Sequence, residues 1–330
     1  IVIVVICVCI GFWIVLVTVI IPKLKLNKAM SLLDDGEYEA AYAQLEEMGK
    51  DNVIETNKYD RAMKYIDSED YDSAYALLKE IGKNDVIDAN KYDRAMKCID
   101  TGNYETAYEL LKDISYKDSY NKFLSVKILL IAQANIGDKV FFGSYEQDND
   151  TWNGKEDIEW LVGAMEEDRV LLISSKALEY KSYNNSSLDS TWEKCSLRKW
   201  MNETFLNDAF NKDEQTFIMD TYLPTDKNLE YNTNSGNATT DKVFLLSINE
   251  VNTYLYEGKT LTCFPTEYAR KDDYVNEKNG YSTCCIWLRT SGGKQNRAAV
   301  LLSTGEIDSY GELNYSDGYV RPAIWVSIQP

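Results

Sequence analysis

The chain has 330 residues, a formal net charge of −18 and no histidine. The missing imidazole excludes Ser-His-Asp and Cys-His catalysis, His-ligated zinc and two-His-one-carboxylate iron. The acidic balance argues against a nucleic-acid partner, and 17 glycines and 5 prolines are too few for a disordered or collagen-like chain.

Residues Ile1 to Ile21 carry no charge, and their only polar side chain besides Cys7 and Cys9 is Thr18. At a rise of ~1.5 Å per residue such a helix reaches about 30 Å, the thickness of a bilayer core. The apolar core of a signal peptide is shorter, and no small-x-small cleavage site succeeds it. Pro22 and then Lys23, Lys25 and Lys28 mark the interface, so residues 1–22 are predicted to anchor the chain in a membrane. These lysines favour a cytoplasmic location for the residues after the span. A more basic flank ahead of Ile1, where the sequence opens inside the apolar run without a methionine, would reverse that. The sequence is read as a piece of a longer chain with an absent cytoplasmic start, and its C-terminal domain is placed outside the cytoplasm.

A repeat of 33 residues comes next. Ala29-Met30 recurs as Ala62-Met63 and Ala95-Met96, Tyr38 as Tyr71 and Tyr104, Ala41-Tyr42 as Ala74-Tyr75 and Ala107-Tyr108, and Leu45 as Leu78 and Leu111. Fixed periods of this length signal stacked supersecondary units, and Ala41, Tyr42 and Leu45 share one helical face. Each unit reads as helix, tight turn, helix. Gly36 and Gly102 occupy the turn, and Glu69 at the same place indicates that glycine is not demanded there. The tyrosines are expected to wedge the helix pair, and Cys98, at the place of Leu32 and Tyr65, to be a buried core thiol. The pattern Gly36-x-Tyr38-x-x-Ala41-Tyr42-x-x-Leu45 resembles the tetratricopeptide repeat family over about residues 27–120. The period is one residue shorter than that family's, and its tryptophan and late proline are absent. That resemblance implies a peptide-binding surface, but three units offer only a short one, so a spacer or stalk is the preferred reading. Phe123 to Ala134 is predicted to form a capping helix, closing a repeat region of residues 23–136.

From residue 137 the pattern becomes that of a mixed α+β domain running to 330. Strands are expected at Val140–Tyr145, Ile158–Gly163, Val170–Ser174, Lys242–Ser247, Cys285–Arg289, Ala298–Ser303 and Val320–Ile328. Helices are expected near Leu197–Phe210, Asp213–Met219 and Ile248–Tyr256, the last capped by Ser247 or Asn249. Trp287-Leu288-Arg289-Thr290-Ser291-Gly292, Ala298-Ala299-Val300, Gly305 and Tyr319-Val320-Arg321-Pro322-Ala323-Ile324-Trp325 form an ordered series. It resembles a bacterial domain family of unknown function with a W-L-R-S-x-G … V-R-P-A-L-W ending. Phe142-Gly143-Ser144-Tyr145, Ile158 to Val162, Trp192 to Asn202 and Asp241 to Ser247 match earlier parts, extending the likeness over nearly all of 139–330. Thr290, where serine is usual, and Cys284-Cys285, where aromatics are common, depart from it. The spacing of the series is in turn similar to the C-type-lectin-like fold, which includes the formylglycine-generating enzymes. That likeness implies that Val140–Tyr145 pairs with Ala323–Ile328, leaving the long loops at the opposite face to bind ligands. The fold class is therefore a membrane anchor helix, then all-α helical repeats, then an α+β C-type-lectin-like domain.

Candidate chemistry is thin. Cys284 and Cys285 are neighbours and would point to opposite faces of a strand, unlike the spaced cysteine pair of those enzymes. Cys195 and Cys263 have no local cationic partner to lower their pKa, although Cys195 pairing with Cys263 or Cys284 stays open. Asp148, Asn149 and Asp150 resemble hard-ion ligands, but their spacing is not that of an EF-hand, and a polar hairpin tip is preferred to a metal site. Glu156, Asp157 and Glu159 could form a carboxylate pair only in the sense that any acidic chain offers one. Asn296, Tyr310, Asn314, Tyr315 and Tyr319 lie in Gly/Asn/Ser-rich loops, the composition of adaptable binding surfaces, and are the candidate ligand residues. Trp287, Arg289, Arg321 and Trp325 are read as buried framework. The expectation is a non-enzymatic, cofactor-free, membrane-tethered surface protein that displays a domain for a protein or glycan ligand. The rivals are an enzyme of the formylglycine-generating-like fold and a cytoplasmic-facing repeat scaffold that recruits a protein partner.

Overall fold

A computed structural model describes residues 10–255, 261–270, 276–278 and 281–329. Residues 1–9 of the predicted span and Tyr256 of a predicted helix lie outside the described residues. Helix Ile10–Asp34 is long and apolar enough to cross a membrane, and none of its apolar window is buried in the protein. Its Leu16–Ile20 stretch is a π-helical turn, closed by the Ile21 N–H donating to the Leu16 carbonyl. Pro22 comes directly after. A proline inside a helix removes one N–H and crowds the preceding turn, which a widened turn accommodates. Within the apolar run the Thr18 hydroxyl donates to the Ile14 carbonyl at 2.6 Å, so it needs no outside partner.

The chain divides into two compact units, one reaching to residue 96 and taking in 113–119, the other formed by 97–112 and 120–330. In the first, helices Tyr38–Glu47, Asp51–Asp67 and Tyr71–Glu80 and the start of Asn84–Asp100 alternate as the 33-residue period requires. Ala29, Ala41, Ala62, Ala74 and Ala95 are fully buried, because a methyl is all that fits where paired helices cross. Arg61 lays its guanidinium 3.5 Å from the Tyr38 ring centre and donates to the Tyr42 hydroxyl at 3.1 Å. That hydroxyl donates to Asn57 Oδ1 at 2.7 Å. The next copy repeats the clamp with Arg94 3.4 Å from the Tyr71 ring centre, Arg94 on Tyr75 at 3.1 Å, and Tyr75 on Asn90 at 2.6 Å. A stacked, hydrogen-bonded arginine is held by both its face and its edge. Cys98 is half-buried rather than buried, as are Leu32 and Tyr65 at the same place, so the position lies at the rim of the helix pair.

The turn between paired helices has one geometry in all three copies. Gly36, Glu69 and Gly102 have φ of +81°, +62° and +75°. In each, the following N–H reaches back five residues: Glu37 to Leu32, Asp70 to Tyr65, Asn103 to Cys98. This is a left-handed helix stop, where glycine carries no Cβ penalty. The position therefore favours glycine without demanding it, and Glu69 occupies it at a cost.

In the second unit, helix Ser119–Gln133 follows helix Tyr104–Leu111. Phe123 lies 5.0 Å from the Tyr108 ring, while Leu124, Ile128 and Ile131 join the core of the C-terminal domain. That domain contains strands β1 (Lys139–Tyr145), β2 (Glu156–Met165), β3 (Arg169–Ser174), β4 (Lys176–Ala177), β5 (Glu179–Ser182), β6 (Thr221–Leu223), β7 (Thr239–Asp241) and β8 (Phe264–Pro265). Beyond them lie β9 (Asn276–Lys278), β10 (Tyr281–Thr283), β11 (Ile286–Ser291), β12 (Arg297–Leu301), β13 (Ile307–Leu313), β14 (Asp317–Val320) and β15 (Ala323–Ser327). One sheet has the order β1-β2-β3-β15 and a second the order β13-β12-β11-β14-β5. Helices Ser196–Trp200, Lys212–Phe217 and Ile248–Tyr254 pack with them.

Three expectations are corrected. The last strand pairs with β3, Ile324 opposite Leu172, and not with β1, which forms the other edge of the same sheet. Val320–Ile328 is two strands, because Pro322 can donate no ladder hydrogen bond, and the chain changes sheet there. Residues 242–247 form no regular strand. Phe244 makes a single bridge to Ala323, and the Leu246 carbonyl accepts from the Arg289 N–H.

Replacing Glu69 with glycine should raise stability by about 1 kcal/mol, read as a higher midpoint in a chemical denaturation curve of the repeat helices. Gly102→Ala should lower it by a similar amount.

Candidate functional site

The predicted framework residues are all buried, and each makes a specific polar or stacking contact. Ser247 and Glu250 form a capping box at helix Ile248–Tyr254, which fixes where the Glu250 carboxylate lies. Arg289 on β11 meets it with both Nη atoms, Nη2 at 2.9 Å from Oε1, and Nη1 also donates to the Leu245 carbonyl at 3.1 Å. The Thr290 hydroxyl accepts from the Ile248 N–H at 3.0 Å, a role a serine hydroxyl could also fill. Arg321 Nε donates to the Ser174 carbonyl at 2.7 Å. Trp287 Nε1 donates to the Lys181 carbonyl at 2.9 Å. Trp325 lies under the Arg169 guanidinium at 4.3 Å.

This framework carries a cleft of about 610 Å³ on the five-stranded sheet, within the size range of small-ligand sites. Every strand of the sheet contributes: Glu312 from β13, Val300 from β12, Trp287 from β11, Asp317, Gly318 and Tyr319 from β14, and Tyr180 from β5. Trp287 pairs with Val300 across the sheet, and Tyr319 with Tyr180. Trp287 and Tyr319 are nearly closed off and make the floor, whereas Tyr315, 48% exposed, stands at the mouth. A Cβ on Gly318 would lie 2.7 Å from Trp287 Nε1, so only glycine lets the indole lie flat there. Glu312 and Asp317 are exposed and give the rim two acceptors and a negative charge.

The five candidate ligand residues do not form one site. Tyr315 and Tyr319 line this cleft. Asn314 is buried instead, its Nδ2 donating to the Leu188 carbonyl at 2.9 Å and its N–H to the Asn296 carbonyl at 2.9 Å. Asn296 and Asn314 thus tie loops together through the main chain. Tyr310 stacks with Arg297 at 4.6 Å and edge-on with Tyr231 at 5.6 Å, and it covers Gly293. Tyr180, Glu312 and Asp317 carry no sequence signal of their own, because their common feature is sheet register between distant segments.

The cysteines also differ from expectation. Cys263 and Cys284 lie together and buried. The Cys284 N–H donates to the Cys263 carbonyl at 3.1 Å, and its Sγ approaches the same oxygen at 3.4 Å. Burial acts to raise the Cys263 thiol, but a hydrogen bond from Cys284 and the Arg321 charge prevail and lower it. A cation does lie near this thiol. Burial and the shared hydrogen bond with Cys263 push Cys284 up. Cys195 caps helix Ser196–Trp200, accepting from the Arg198 N–H at 3.4 Å, and burial pushes it up to about 12.

Residues 167–328 match a family described as Domain of unknown function (DUF6273). The first hairpin, β1 and β2, precedes the matched residues. No curated protein and no solved structure matches the chain.

Two outcomes are expected. Arg289→Met should cost about 3 kcal/mol, because it leaves the half-buried Glu250 carboxylate without its partner, and a urea unfolding curve measures it. Alkylation of the native protein at pH 8 should label the half-buried Cys98 and Cys285 and spare Cys195, Cys263 and Cys284, read by peptide mass spectrometry. Cys195, raised to about 12, stays a thiol at that pH, and thiolate is the reactive form; Cys263, whose thiol is lowered, is spared by its burial alone.

Proposed function

We propose that the chain is a single-pass membrane protein whose C-terminal domain binds a protein or glycan ligand outside the cytoplasm, without catalysis. In chain order the helical repeats stand between the anchor and that domain, and act as its stalk. The observation that carries the reading is the cleft with Trp287 and Tyr319 as floor, Tyr180 and Tyr315 as walls and Glu312 and Asp317 at the rim. The accessible rings of Tyr180 and Tyr315 can stack on the apolar faces of sugar rings or on peptide side chains at low entropy cost, over a floor closed by Trp287 and Tyr319, and carboxylates accept from hydroxyl or ammonium groups. The same rim disfavours anionic polymers. The finer reading of the domain as C-type-lectin-like is supported by the order of its motif residues, Trp287-x-Arg289, Ala298-x-Val300, Gly305 and Val320-Arg321-Pro322, and not by the pairing of the first and last strands.

Two measurements test this. A C-terminal tag should be lost when intact cells meet an impermeant protease. If the tag survives until lysis, the surface reading fails and a cytoplasmic repeat scaffold takes its place. Full-length protein in nanodiscs should bind members of a glycan or protein array, and Tyr315→Ala or Glu312→Gln should weaken that binding by about tenfold, some 1.4 kcal/mol. Binding untouched by either change would put the ligand elsewhere.

A second reading, an enzyme of the formylglycine-generating-like fold, is favoured by one observation, the buried contact of Cys263 with Cys284 beside Arg321. An activity lost in both Cys263→Ser and Cys284→Ser would support it.

A further inference from the structure

The loop joining β1 to β2 gathers three carboxylates. Glu146 follows the end of β1, Asp148 lies two residues on, and Glu156 opens β2. One oxygen from each lies within 4.8 Å of the others. Lys155, the cation nearest in sequence, is directed away, donating to the Asp208 carbonyl at 2.6 Å. Among the described residues no ion pair neutralises any of the three.

The second observation is independent of that cluster. Glu146 is only 8% exposed, and its Oε1 is sealed from solvent with no hydrogen-bond partner among the described residues. A buried carboxylate oxygen without a partner is costly, and more so beside two like charges. Burial, then the nearby Glu156, hold the Glu146 carboxyl above its ordinary range. The neighbouring oxygens are oriented. Asp148 accepts from the Asp150 N–H at 2.8 Å and from Asn153 Nδ2 at 2.7 Å. Glu156 Oε2 accepts from the Gln147 N–H at 2.7 Å and the Asp148 N–H at 3.3 Å. Each Asp148 oxygen keeps a lone pair for a further partner, whereas Glu156 Oε2 has both of its lone pairs engaged and leaves Oε1 to meet an ion.

We propose that Glu146, Asp148 and Glu156 form a calcium site that pins the β1–β2 hairpin. Calcium bonds oxygens at ~2.4 Å, so ligands on opposite sides of the ion lie up to about 4.8 Å apart, which accommodates the observed cluster. All three donors are hard oxygens, and a flexible surface loop can complete an irregular coordination shell with backbone carbonyls and water. Magnesium demands a tighter octahedron. The ion gives the orphaned Glu146 oxygen its partner and cancels most of the local charge. It also ties together the two strand ends and, through the Gln147 carbonyl that accepts from the Tyr268 N–H at 3.1 Å, the segment around residue 268.

The test uses full-length protein in nanodiscs, treated with a chelator and then titrated with calcium chloride in a calorimeter, with thermal unfolding followed in parallel. The expected result is one site with a dissociation constant of roughly 0.1–1 mM and a rise in the unfolding midpoint. Glu146→Gln should bind at least tenfold more weakly while remaining folded in chelator. Asp148→Asn, at an exposed position, should weaken binding in the same direction while unfolding like the parent in chelator. Terbium should luminesce on excitation through Trp152, which is exposed in this loop, and the emission should fall in Trp152→Phe. The proposal is overturned if calcium up to about 10 mM gives neither heat nor a midpoint shift. It is also overturned if magnesium acts equally well, or if both carboxylate variants bind like the parent.

Discussion

The C-terminal domain depends on a charge it has had to bury. Arg289 carries a guanidinium into an interior strand, and an unpaired cation there would be prohibitive. It is tolerable because Glu250 answers it with both oxygens and the Leu245 carbonyl takes a further hydrogen bond. Glu250 is in turn fixed by capping its own helix through Ser247. Helix end, strand and loop are therefore one electrostatic unit. Trp287, two residues before the arginine on the same strand, inherits its placement from that unit, and the cleft floor results from it.

Much of this is legible in the sequence. The first hairpin and third strand, the helix near Leu197, the Ser247 cap and the buried fate of Trp287, Arg289, Arg321 and Trp325 follow from local patterns, since alternation and capping are properties of short segments. The pairing of β15 with β3 is not legible, because register between segments some 150 residues apart leaves no local trace. The candidate site is half legible for the same reason. Tyr315 and Tyr319 share a loop composition that suggests binding, but Tyr180 and Glu312 reach the cleft only through strand order. The same composition at Asn296, Asn314 and Tyr310 accompanies residues outside the cleft, where the two asparagines tie loops together and the ring of Tyr310 covers a glycine.

The repeats are legible in period and incomplete in mechanism. Alanine, tyrosine and leucine positions give the helix pairs, yet Asn57 and Arg61, repeated as Asn90 and Arg94, stand at the same spacing. Alone they carry little signal, because polar residues on a helix are usually solvated. Their partners are tyrosines of the preceding helix, so the clamp is read only when two helices are considered together. At the turn, Glu69 suggests tolerance in the sequence, while its left-handed backbone makes it a strained occupant of a glycine position.

The clamp has a bearing on how the array could change length. The tyrosine pair of one helix meets the asparagine and arginine of the next at two successive places, so the middle copy carries both an outgoing and an incoming half. Duplicating or deleting a block of 33 residues leaves all remaining halves matched. Where Asn90 and Arg94 would recur, the chain has Phe123 and Lys127. Phe123 packs on Tyr108, and Lys127 lies over Phe123 and pairs with Glu214 at 3.6 Å. That substitution changes the connector from one that accepts another repeat to one that accepts the β domain. The length of the repeat array is thus set by a count of interchangeable parts, and a single altered pair marks where counting stops.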